Sequence, residues 1–233
     1  MRKLCSVSFA LVLILGMSSI TYAHQYEGFP PGYDAFTSTA QVQIQLLSPP
    51  FPPMPPLTVA LSGPTTVHRG IPSNPCPPCD GRWQIPAEMV LMNLQGADPM
   101  IGPVTVIESP TLVSSGEIRQ QVAGHDFPAE SFFDVFFEIE TVPMTLFNKT
   151  AMRMEALIDA IPPLDSTYRN ADSAALFDKA NPNGPPVAFL TTAEHTPTES
   201  IPTLSEWGAI IFGVLLLGSV VFYIWRRRRV AVV

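Results

Sequence analysis

Cations are scarce in this chain. Between His24 and Glu206 there are seven Lys and Arg against twenty Asp and Glu, so that stretch carries a net charge of −13. Such a surface repels phosphate backbones, which excludes a nucleic-acid-binding role and leaves solubility, with some attraction for divalent cations, as the consequence of the charge. Cysteine is nearly absent too: three in the whole chain, of which Cys5 falls in the N-terminal apolar stretch. Cys76 and Cys79 are too few for a zinc finger, which needs two more ligands at finger spacing. No nucleophile elbow, phosphate loop or H-E-x-x-H pair occurs. Apolar runs of helical period are also missing, apart from the Ala-rich stretch Ala171–Lys179, where a helix is allowed.

Alternation of period two is what the body has instead. Gln41-Val42-Gln43-Ile44-Gln45-Leu46 alternates glutamine with apolar side chains, as a half-buried strand does. In Phe133–Glu140 the residues Phe133, Val135, Phe137 and Ile139 share one face, with Asp134, Glu138 and Glu140 on the other; Phe136 breaks the rule. Met152–Asp159 alternates more loosely, and shorter runs lie at 57–61, 88–94, 104–108, 176–177 and 187–192 between Gly, Pro and Asn clusters. About eight short strands with regular turns predict an all-β body, a β-sandwich, over residues 24–192. Proline shapes the connections: Ser48–Pro56 holds six prolines and reads as a stiff extended loop, and Ala193–Ser200 reads as a Thr/Pro stalk.

The two ends read differently from the body. Arg2 and Lys3, the apolar stretch Leu4–Met17 and small residues at Thr21 and Ala23 describe a secretory signal peptide over 1–23, cut before His24. At the other end an uncharged apolar run extends from Gly208 to Trp225. As a helix it measures roughly 27 Å, near the ~30 Å of a bilayer core, so a single transmembrane helix over 208–225 is expected. Arg226, Arg227, Arg228 and Arg229 then form a basic stop on the cytoplasmic side.

Ile201, Pro202, Thr203, Leu204, Trp207 and Gly208, followed by that span and the arginines, resemble the IPTL-CTERM sorting signal, a sister of the PEP-CTERM signals. The resemblance implies an exported substrate of an exosortase-like membrane protease, passing through the inner membrane and then placed at the cell surface or released. Segments of the body, among them Leu61–Val67, Gly102–Val106, Phe127–Ile139 and Val187–Leu190, resemble an uncharacterised extracellular bacterial module that brings no known activity.

Few residues are candidates for chemistry. Cys76-Pro77-Pro78-Cys79 sits in a turn without a following β-α-β pattern, so a short disulfide is expected ahead of an interchain bridge, a metal site or a redox centre. His24, exposed as a new N-terminus, would chelate copper only with a second imidazole from His68, His125 or His195. Asp126, Glu130 and Asp134 read as a solvated polar face, Asp178–Gly184 as an Asn-Gly turn, and the sequon Asn148-Lys149-Thr150 as accidental. The expectation is an exported, non-enzymatic envelope or matrix protein without a cofactor, with surface polysaccharide as a candidate partner. The alternatives are a secreted enzyme or copper protein that carries a sorting tag, and a single-pass membrane protein that keeps its tail.

Overall fold

The computed structural model describes residues 29–47, 55–75, 79–142, 144–200 and 211–218. Twelve strands follow one another: β1 (Gly32–Leu46), β2 (Leu57–Arg69), β3 (Gln84–Asp98), β4 (Gly102–Glu108), β5 (Ser114–Val122), β6 (His125–Val135), β7 (Phe137–Thr141), β8 (Thr145–Asn148), β9 (Met152–Ile158), β10 (Tyr168–Asn170), β11 (Ala174–Asp178) and β12 (Ala188–Ser200). All belong to one sheet, and every pairing among them is antiparallel.

The pairings reduce to a simple figure. Long β3 pairs with β5 along its first half and β4 along its second, and β12 pairs with β11 and then β10 in the same way. The couples β4–β5, β6–β7, β8–β9 and β10–β11 are therefore four interrupted staves, which with β1, β2, β3 and β12 make eight. Each stave lies beside its neighbour in sequence, and β12 closes the ring onto β1 from Phe36↔Ser200 to Leu46↔Ala188. The all-β expectation holds. The two facing layers expected of a sandwich are here two sides of one sheet wrapped round on itself, and closure protects the outermost strands from edge-to-edge aggregation.

The interruption at Phe136 is chemically satisfied. There the ladder stops, and the Ser114 hydroxyl receives the Phe136 N–H at 3.0 Å while donating to its carbonyl. Buried Asn148 takes the Phe137 N–H at 2.8 Å and returns a bond to the Val135 carbonyl at 2.9 Å. Polar side chains thus replace the missing rungs between β6 and β7, so both halves keep the same phase. Phe133, Val135, Phe137 and Ile139 remain on the buried face, as their spacing predicts. At Gly63 and Gly96 the β2 and β3 backbones approach so closely that an added Cβ would strike the carbonyls of Asn93 and Ala60.

Several expectations need correction. Residues 171–179 are not helical: Ala174–Asp178 is β11, held between β8 and β12, because tertiary pairing outweighs the helix propensity of a few alanines. The stalk expected over 193–200 is the second half of β12. Its β-branched threonines suit a strand, and Pro197, which has no N–H to give, pairs with Ser38 at a register shift in the ladder. Glu138, expected in solvent, is 6% exposed, covered beside Phe147 and by Lys179, whose Nζ lies 2.7 Å from its carboxylate.

The transmembrane expectation is corrected as well. Among the described residues the helix is 211–218, and none is long and apolar enough to cross a membrane. The sorting reading leaned on that span and draws no support from the described residues. Its motif Ile201, Pro202, Thr203, Leu204, Trp207 and Gly208, the arginines Arg226 to Arg229, the signal segment 1–23, His24, Cys76 and most of Ser48–Pro56 lie outside the described residues.

Candidate functional site

The inward faces of the eight staves do not fill the barrel. They surround a cavity of about 80 Å³, and of the residues that line it Pro163 alone lies outside a strand. One water needs roughly 10–15 Å³ of such space. The cavity exceeds that several times over, yet its wall is almost wholly hydrocarbon and thioether. Methionine is concentrated there. Met89, Met92, Met152 and Met154 are the buried methionines among the described residues, and all of them face the cavity. Three rotatable bonds and a polarizable sulfur let such side chains re-pack around an inserted molecule.

A belt of polar groups crosses the wall at one level. His195 of β12 bonds through Nε2 to the Ser38 hydroxyl of β1 at 2.8 Å, and Ser38 donates to Thr65 Oγ1 of β2 at 3.0 Å. With its own proton directed at Thr65, Ser38 accepts from His195, which fixes the Nε2–H tautomer. Burial pushes the imidazole down to about 4, so it is neutral at physiological pH. His195 as a whole residue is half-buried, and it lines the cavity. Beside it, β10 aligns Tyr168 with His195, and the Tyr168 hydroxyl lies 2.9 Å from Ser131 of β6. Burial raises that phenol to about 12, so it too is neutral.

Beyond the belt, Asp34 and Arg69 form a buried pair: Nε to Oδ2 at 2.7 Å and the second guanidinium nitrogen to Oδ1 at 3.0 Å. Arg69 also donates to the Pro30 carbonyl. Residues 159–167, which carry Pro163, are tied to β12 by the Asp165 N–H on the Pro197 carbonyl at 2.7 Å and by Thr167 against Thr196 at 2.9 Å. Pro163 and Pro197 both border the cavity at this loop.

The candidates read from sequence lie elsewhere. Cys79 is disulfide-bonded, with φ at 54° and its N–H 3.3 Å from the Pro75 carbonyl. His68 stacks on Tyr33 at 4.5 Å between ring centroids, His125 is exposed, and of these histidines His195 reaches the interior. No group of three or more metal-ligating side chains gathers among the described residues. Asp126 accepts from Gln120 at 2.9 Å, Asp134 pairs with Arg153 at 2.7 Å, and Asp178 caps Ala180 at 2.9 Å in the Asn-Gly turn. Asn148 is 2% exposed and bonded on both sides of its amide, which closes the sequon to a glycan in the folded protein. Sequence reasoning missed the cavity. Its one signal was the clustering of methionine at alternate positions of 152–154 and near 89–92, and methionine at such positions is equally a core residue.

These strands and this interior amount to a closed antiparallel β-barrel of eight staves around an apolar chamber. The model of a family of unknown function, DUF6073, matches residues 20–203, and the chain belongs to that family. None of the curated proteins compared with the chain matches it. Among solved structures, DynF from the dynemicin biosynthesis pathway of Micromonospora chersina has a similar fold. Its TM-score is 0.64 at 20% identity, over 74% of this chain and 82% of that one.

Proposed function

We propose that this is an exported, non-enzymatic binding protein of the cell envelope or extracellular matrix, whose barrel takes one small apolar molecule into its interior. The carrying observation is the chamber: about 80 Å³, walled by apolar side chains and softened by four methionines. Eight-stranded barrels are wide enough for their side chains to fill the interior or for one small ligand to share it. The groups facing the chamber support binding without catalysis. His195 and Tyr168 are both neutral and hydrogen-bonded to hydroxyls, Asp34 is engaged by Arg69, and the Ser38 hydroxyl beside His195 is fully buried, donates to Thr65 and does not line the chamber. The signal-peptide reading of 1–23 and the disulfide at Cys79 support export, since disulfides persist in oxidising compartments. The sandwich-like arrangement of two facing layers is the scaffold that keeps the chamber open.

A saturable, one-to-one rise in fluorescence of N-phenyl-1-naphthylamine, a neutral apolar probe, tests the binding half. Ala193→Phe places a ring in the chamber and should abolish the rise while the protein still melts cooperatively. Unsaturable binding, or equal binding by the variant, overturns the reading. Intact-mass analysis of native protein tests export: a chain starting at His24 is expected, and one that keeps Met1–Ala23 contradicts it.

A further inference from the structure

The polarity of the chamber wall specifies what enters it. All seven cations of the body already have partners: Arg69 on Asp34, Arg82 and Arg119 on Asp80, Arg153 on Asp134, Arg169 on Glu194, Lys179 on Glu138, and Lys149 over the Phe177 ring. None of the seven lines the chamber, whereas Asp34 and Glu194 do. A ligand carboxylate would therefore lose its water with no cation to receive it, at a cost that far exceeds a neutral hydrogen bond. An ammonium fares no better, because the Asp34 oxygens both accept from Arg69 and Glu194 accepts from Arg169.

Neutral donors and acceptors, by contrast, are at hand. The chain His195 to Ser38 to Thr65 ends at the Thr65 hydroxyl, whose own proton is left to donate, and Thr65 faces the chamber. His195 in the Nε2–H tautomer offers Nδ1 as an acceptor, and Tyr168 adds a hydroxyl on the adjoining stave. Both a donor and an acceptor thus stand at one level of an otherwise apolar tube. We infer that the chamber selects uncharged ligands that carry a single hydroxyl or carbonyl on a slender apolar body, and that it excludes carboxylates and amines of the same shape. This rests on the binding role proposed above.

Three probes of equal chain length separate the outcomes: decan-1-ol, decanoate and decylamine, each competing with N-phenyl-1-naphthylamine on the full-length protein at neutral pH. The alcohol should displace the probe at least roughly tenfold more tightly than either ion, as expected where a charge goes into an unpaired apolar site. In Tyr168→Phe and Thr65→Val variants the margin of decan-1-ol over decane should shrink several-fold while binding of decane persists, an effect that a merely structural role for these hydroxyls would not produce. Decanoate or decylamine binding as tightly as decan-1-ol overturns the selectivity while leaving the chamber a binding site. Failure of all three, and of decane, to displace a bound probe, or failure of the probe to bind, overturns the binding role itself.

Discussion

The two ends of the barrel interior are built from different materials. At the end where β7, β8 and β11 lie, Ile44, Leu46, Leu57, Val59, Val104, Ile139, Leu146 and Leu176 fill the space and none of them borders the cavity. Around the chamber the wall includes Met89, Met92, Met152, Met154, phenylalanines and the polar belt. Branched side chains with few rotamers make a solid plug; unbranched thioethers make a wall that yields. One sheet, closed by one set of pairings, therefore supports both a rigid core and a binding space. The choice between them is made by side-chain stiffness and not by topology.

Substitutions of one chemistry placed in both regions test that contrast. Leu176→Ala in the plug, where the side chain is fully buried, should cost about 4–5 kcal/mol, because packed neighbours surround it and leave a new void. Leu94→Ala in the chamber wall should cost about 2–3 kcal/mol, since its cavity side has no packing partner to lose. Denaturant melts give both values, and equal losses would remove the distinction. Of similar size is the effect of Asp34→Ala. It strands the Arg69 guanidinium in a buried site, for about 3–5 kcal/mol, whereas replacing both partners by apolar residues of similar volume should recover most of it.

A smaller effect belongs to the belt. His195 titrates near 4 when folded and near 6.5 when unfolded, so between those values the unfolded chain holds more protons. Stability from the neutral ring is fully present above about pH 6.5 and is lost as pH falls toward 4, by up to about 3 kcal/mol. His195→Gln should flatten that part of a stability–pH curve. Smaller again is Glu138→Ala. Glu138 is buried but its partner Lys179 is half in solvent, so a cost of about 1 kcal/mol is expected. Least of all is Arg153→Ala: its pair with Asp134 lies in solvent, and the loss should be about 0.5 kcal/mol or less.

How far the sequence reveals all this depends on the range of each interaction. The alternations at 41–46, 133–139 and 152–158 are local, set by which face meets hydrocarbon, and the buried residues follow them. Barrel closure is not local: Phe36 meets Ser200 and Leu46 meets Ala188, and no pattern inside β1 or β12 declares that partnership. For the same reason residues 193–200, rich in Thr and Pro, read as a stalk until β1 is placed beside them. Glu138 obeys the alternation and still ends buried, because Phe147 and Lys179 come from other staves to cover it. The chamber is least legible of all, since Met92 facing a void and Leu176 facing neighbours look alike as apolar letters.

Methionine methyl NMR tests the central claim most directly, because the protein carries its own reporters inside and outside the chamber. On titration with decan-1-ol the methyl signals of Met89, Met92, Met152 and Met154 should shift together and saturate. Those of Met100, which is exposed, and Met144, which lies outside the chamber wall, should stay in place. Shifts confined to Met100 and Met144, or spread evenly over all the methionines with no saturation, would contradict an interior binding chamber.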